Sequence, residues 1–129
     1  MSPEAGGAER RVQPRYQLKA SGTAWSLSRT AVGPFPVTSS NISLTGMMLH
    51  TSSDDINRLV PGDKLLLGFS VPHSREQIKV TVAVVWKRQG VVSLLGRWSF
   101  GSYFVDTPEV EIRKLFDPAA AAGKALPAV

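Results

Sequence analysis

The residues best equipped for chemistry in this 129-residue chain fall in two short runs. The first is Glu9-Arg10-Arg11-Val12-Gln13-Pro14-Arg15, with Arg11 and Arg15 at i, i+4 and Arg10 beside them. A guanidinium is a planar fork of donors, matched to phosphate oxygens and to the acceptor edge of guanine. It also stacks on flat rings. Pro14 pushes Gln13 towards an extended conformation, so the run is not a helix. It has almost nothing to bury, and composition alone equally suits a solvated basic tail. The second run is Asn41-Ile42-Ser43-Leu44-Thr45-Gly46. It sets an amide and a hydroxyl two apart, on one side of an extended chain. Both groups donate and accept, and so can read the edge of a base. Gly46 permits a positive φ and leaves room for a ligand to approach the backbone. The same residues also suit an Asx or Ser turn between two strands.

Other chemistries find little here. Cysteine is absent, which removes disulfides, thiol nucleophiles and Cys-ligated metals. His50 and His73 sit in no nucleophile motif, and the pair Asp54-Asp55 suits a helix N-terminus better than a catalytic dyad. No phosphate loop, dinucleotide fingerprint or metal-ligand spacing occurs. The expectation is a binding protein, not an enzyme, without a metal or other cofactor.

The elements that must position the two runs are mostly strands. Apolar residues make up 43% of the chain and charged residues 19%, a globular balance for one domain. Lys and Arg outnumber Asp and Glu 15 to 10, for a net charge of +5. Tyr16, Leu18 and Ala20 alternate with polar residues, as on a half-buried strand. That strand is expected to bulge at Gly22 and to bury Trp25 and Leu27. Phe35 and Val37 open a second strand, and Met47, Leu49 and Thr51 form a third. A fourth follows Pro61-Gly62-Asp63 over residues 64–71, with a hairpin connection at Pro72-His73-Ser74-Arg75. In residues 76–88, Ile78, Val80, Val82, Val84 and Trp86 share one face. Residues 91–105 read as a last strand, or two pieces broken near Gly96 or Gly101. Thr107 as N-cap and Pro108 at the first helical position start a helix. Ile112, Leu115 and Phe116 would dock it, and Asp117-Pro118 would end it. Six short strands and one C-terminal helix imply an all-β, closed or nearly closed antiparallel barrel. No stretch of 18 apolar residues and no secretion signal is found, so a soluble, cytoplasmic protein without membrane insertion is expected.

Taken together, the two runs resemble the PilZ domain, a family of bacterial receptors for cyclic di-GMP. The family pattern is RxxxR in a lead-in, then [D/N]xSxxG on the barrel surface. Here these are Arg11-x-x-x-Arg15 and Asn41-x-Ser43-x-x-Gly46. The strand around Val84-Val85-Trp86 and the Gly101-x-x-Phe104 element before the helix also look like the family's. The resemblance implies a six-stranded PilZ barrel with a C-terminal helix over residues 9–117; the small, polar run 1–8 and the Ala-rich run 118–129 read, from composition, as disordered tails. It implies that Arg11 and Arg15 clasp phosphate and guanine, that Asn41 and Ser43 bond a guanine, and that Gly46 permits the turn beneath it. Arg10 would serve the second molecule of an intercalated cyclic di-GMP pair. Trp86 and Phe104 would be core, and Trp98 core or surface. The signal would pass to a protein effector in trans. A nucleotide-independent adaptor of the same fold is the alternative. A single-stranded nucleic-acid binder is disfavoured, because it needs aromatics exposed on a basic groove, whereas most aromatics here fall on inner faces.

Overall fold

The computed structural model describes residues 14–70, 76–90 and 96–123. Arg10, Arg11, His73 and the 72–75 connection lie outside the described residues.

Seven strands occur among them: β1 (Tyr16–Gln17), β2 (Ser21–Ser26), β3 (Phe35–Ile42), β4 (Gly46–Thr51), β5 (Lys64–Ser70), β6 (Gln77–Gln89) and β7 (Trp98–Phe104). All their pairings are antiparallel. Strands β2 to β7 close into a six-stranded barrel in the order β3-β2-β5-β6-β7-β4, with β4 returning to β3. Closure leaves no long edge to template pairing with another chain. The interior is filled by alternate side chains, among them Ala24, Phe35, Met47, Leu49, Leu65, Leu67, Phe69, Val80, Val82 and Phe100. Burying each large one contributes about 1.5–3 kcal/mol.

The single strand expected from Tyr16 onwards is two pieces. β1 and β2 lie along the same edge of β3, and residues 18–20 bulge between them by one residue, still tied to β3 by the Leu18 N–H to the Ser40 carbonyl and the Ser39 N–H to the Ala20 carbonyl. The buried Ser39 hydroxyl explains how the interruption is tolerated. It accepts from the Ala20 N–H at 3.0 Å and lies 3.1 Å from the Leu18 carbonyl oxygen, satisfying the groups that the bulge takes out of the ladder. Tyr16, Leu18 and Ala20 still pack on the core as their spacing requires. Gly22 is not a bulge. It sits in regular register, and a Cβ there would strike the Gly68 carbonyl oxygen on β5. The inward parity therefore continues through Ala24, so Trp25 turns outward and lies over Gly68, and Leu27 is exposed.

Two bulges reset the parity of longer strands. One falls between Ser39 and Asn41 on β3, and the other between Val84 and Trp86 on β6. Without the first, Asn41 would point inward with Val37 and Ser39; with it, Ile42 takes the core position. The second overturns the placement of Trp86 in the core. Val84 is buried, but Val85 and Trp86 are both exposed. Trp98 is core, and Phe104 is partly buried against the core cluster. β7 runs through Gly101 unbroken.

The acidic pair opens a 3-10 helix, Asp54–Arg58, capped by the Ser53 side chain. Helix α1 (Glu109–Ala121) closes the barrel's end, burying Ile112, Leu115, Phe116 and Ala119. Phe116 meets Tyr16 edge-on at 5.5 Å. Thr107 is not its N-cap; Pro108 is, without a side-chain bond. The Thr107 hydroxyl instead accepts the Thr81 N–H at 2.8 Å and lies 2.7 Å from the Val105 carbonyl oxygen, pinning the helix entry to β6. Nor does Pro118 end the helix. It lies inside the last turns, and the chain leaves the helix at Gly123, whose φ of +76° suits glycine. Buried Ala119 keeps that extra turn on the core.

Candidate functional site

The cross-strand registers lay two rows of residues across the outer face of the barrel. One runs Gln17–Asn41–Met48–Gly101–Trp86, from β1 through β3, β4 and β7 to β6. The next runs Thr38–His50–Ser99–Arg88. Neither row holds an acidic residue.

Arg15 sits immediately before β1. Tyr16 pairs with Ile42 and is held against Phe116, which orients the chain so that Arg15 and Gln17 face outward. The Arg15 guanidinium donates to the Asn41 amide oxygen at 2.8 Å. Asn41 in turn directs its NH2 group at the Met48 sulfur, 3.5 Å away. The two runs singled out in the sequence therefore meet on one exposed surface, joined by a direct hydrogen bond. The rest of the Arg15 fork faces solvent and can take a second acceptor.

Ser43 and Gly46 occupy a different position. The Ser43 hydroxyl accepts from the N–H groups of Thr45 and Gly46 at 3.2 and 3.3 Å and lies 3.1 Å from the Thr45 hydroxyl. Its residue is 2% exposed. Ser43 therefore builds the turn between β3 and β4. Gly46 is required for a reason other than a positive φ, which it does not have. A Cβ there would strike the Ser102 carbonyl oxygen, so glycine lets β7 approach β4 closely. The space expected to admit a ligand at this glycine is filled by β7.

Sequence reasoning missed Met48, Gly101, Trp86 and Arg88 on this face. The adjacent apolar pair Val84-Val85 was the available signal, because two such neighbours break a two-fold pattern.

His50, on the second row, is nearly buried. Its Nδ1 lies 3.0 Å from the Ser99 hydroxyl, and its Nε2 finds no partner among the described residues. Burial lowers its pKa below the ordinary 6.5. No group of three His, Cys, Asp or Glu residues that could hold a metal occurs among the described residues.

A family model for the PilZ domain matches residues 9–117. The chain belongs to the PilZ family. One similar solved structure is the Bacillus subtilis inhibitor of motility, MotI/DgrA. Its TM-score is 0.67 at 15% identity, over 88% of this chain and 51% of that one. This PilZ chain thus spans about half the length of MotI/DgrA. A second is the PilZ domain of YcgR from Escherichia coli, solved with c-di-GMP. Its TM-score is 0.62 at 10% identity, over 87% of this chain and 90% of that one. At these identities the likeness is one of fold. No curated protein matches the sequence. No helix among the described residues is long and apolar enough to cross a membrane.

Proposed function

We propose that this PilZ domain is a receptor for cyclic di-GMP, bound on the outer face at Arg15 and Asn41. The observation that carries the reading is the Arg15–Asn41 hydrogen bond, which joins the lead-in to the barrel where the face is open and lacks acids. In this proposal Arg11 closes over the ligand with Arg15, and Arg10 serves the second molecule of an intercalated pair. Ser43 and Gly46 act by shaping the turn that holds Asn41. Closing residues 9–13 onto the ligand costs on the order of 1–2 kcal/mol of backbone entropy per residue. Charge-assisted hydrogen bonds return roughly 1.5–3 kcal/mol each. Several of them leave an affinity in the micromolar range, about −8 kcal/mol. The bound nucleotide and the repositioned arm then form a new surface for a protein effector. PilZ domains act as receptors or adaptors, and no catalytic step is assigned to this one.

The test is equilibrium binding of labelled cyclic di-GMP, competed by unlabelled ligand and by a single-stranded oligonucleotide. The expected result is saturable binding, displaced by cyclic di-GMP alone and weakened roughly 30- to 150-fold by Arg15→Ala, about 2–3 kcal/mol. Displacement by the oligonucleotide, or an Arg15→Ala affinity within twofold of wild type, would contradict it.

A specific observation favours a second reading. Ser43 and Gly46 are both fully accounted for by the turn and by the approach of β7. Half of the second motif would therefore persist in a nucleotide-independent adaptor. Such an adaptor predicts a folded protein that takes up no cyclic di-GMP.

A further inference from the structure

Three methionines occur in the chain, and two of them are neighbours on β4 with opposite surroundings. Met47 faces the core and is 1% exposed. Met48 faces outward, is partly exposed, and pairs across the strands with Asn41. Met1 lies outside the described residues. A leucine would fill the Met48 position as well, but it would bring no sulfur. Here the sulfur has a partner, because the Asn41 NH2 group is directed at it from 3.5 Å. The orientation of that amide is forced. Arg15 can only donate, so it takes the amide oxygen at 2.8 Å and leaves the NH2 group for Met48. Arg15, Asn41 and Met48 therefore form one chain of hydrogen bonds that ends on a thioether. A thioether is a weak acceptor, so Asn41 can exchange it for a better acceptor on a ligand at little cost. It is also a group that peroxides convert to a polar sulfoxide.

We propose that Met48 is a redox-modification site, and that its oxidation by a peroxide locks the Asn41 amide and lowers the affinity for the nucleotide. This inference rests on the receptor reading above, in which Asn41 is a partner of the ligand. In the step, an electron pair on the Met48 Sδ attacks one oxygen of hydrogen peroxide. The S–O bond forms as the O–O bond breaks. The sulfur gives up two electrons and the peroxide takes them, and the departing hydroxide carries off the proton of the transferred oxygen as water. The new oxygen is held on the atom to which the Asn41 NH2 group is already directed. It accepts a stronger hydrogen bond than the thioether did, so the amide no longer turns to the ligand. Its partial negative charge also opposes the phosphates brought to this face. Methionine sulfoxide reductases restore the thioether, which makes the change reversible. Burial keeps Met47 out of the reaction.

The test treats the full chain with dilute hydrogen peroxide, locates the added oxygen by fragmentation mass spectrometry, and titrates the product with cyclic di-GMP by calorimetry. Met48 is expected to gain one oxygen well before Met47. The oxidised protein should bind about tenfold more weakly, and a methionine sulfoxide reductase should restore the affinity. In the ligand-free protein, the Asn41 side-chain NH2 signals should shift on oxidation. Met48→Leu should bind equally well with and without peroxide, although Met1 and Met47 remain. Met48→Gln, which carries a fixed polar acceptor, should reproduce the loss without peroxide, and it decides the matter if Met48→Leu does not fold. Oxidation of Met47 ahead of Met48 overturns the proposal. So does a Met48 sulfoxide protein that binds within twofold of the untreated one, or an equal loss in Met48→Leu. Untreated protein that binds nucleotide with no response to the sulfoxide leaves the receptor standing and removes the switch alone. Untreated protein that takes up no nucleotide removes both.

Discussion

Arg15 and Asn41 meet because each has been turned outward by its own local device. Arg15 is aimed by its neighbour Tyr16, whose ring is locked against Phe116. Asn41 is aimed by the bulge after Ser39. The spacing of these residues is legible in the sequence, but the bulge is not, because nothing in Ser39-Ser40-Asn41 marks which residue will be left unpaired. The same blindness placed Trp86 inside. Gly46 shows a glycine whose reason differs from the ordinary one. Its φ is not positive, yet a methyl group would collide with the backbone of β7. Backbone atoms in a closed barrel cannot give way cheaply. Gly46→Ala should therefore destabilise the fold by about 2 kcal/mol or more, and lower the melting temperature by about 5 °C or more. A melt within 1 °C of wild type would show that the β4–β7 approach is looser than described. Loss of nucleotide affinity in this variant would follow from the turn, not from a lost ligand contact.

The strands were legible from two-fold alternation wherever a single register holds. β4, β5, β3 as far as Ser39 and β6 as far as Val84 follow it, and the apolar face of α1 follows the helical period. The element ends were harder to read, because tertiary hydrogen bonds override local signals there. Thr107-Pro108 has the composition of a helix start, but the Thr107 hydroxyl accepts the Thr81 N–H and lies against the Thr81 and Val105 carbonyl oxygens, so it is turned to β6 and does not cap the helix. Thr107→Val would leave the Thr81 N–H without its acceptor. The expected cost is about 1–2 kcal/mol, read as a shift of the urea midpoint with an unchanged slope. Unchanged stability would mean that water replaces the hydroxyl. Pro118 misleads for a related reason. A proline inside a helix removes one hydrogen bond, but the apolar contact of Ala119 keeps the next turn in place.

For the whole molecule, two buried groups separate the pH dependence into windows. Burial lowers the His50 pKa, so the folded protein resists a proton that the unfolded chain accepts. His50 costs nothing above pH 6.5, where it is neutral in both states. Stability should fall as the pH drops below 6.5 towards the lower folded value. Asp63 acts at lower pH. Burial raises its pKa, but the Val60 N–H, the Arg29 guanidinium and the charge of Lys87 together hold it below the ordinary carboxylate value. Its stabilisation is present above that value and is lost as the pH falls through the folded pKa. Melting curves from pH 7.5 to 5 should therefore show a decline that His50→Gln flattens. A decline identical in the variant would assign this window to other groups. The closed barrel, its capping helix and the basic lead-in were all legible in the sequence. Which outer face the lead-in addresses was not, because the registers that align Asn41, Gly101 and Trp86 are set by pairings between distant segments.

A calorimetric titration of the full chain with cyclic di-GMP at moderate salt, repeated with Arg15→Ala, bears most directly on the receptor reading. The expected result is saturable micromolar binding by the wild type, close to two nucleotides per chain if Arg10 serves an intercalated pair, and a loss of roughly 30-fold or more in the variant. A folded wild-type protein that gives no heat at high micromolar ligand would contradict the receptor, and would leave the adaptor as the function of this barrel.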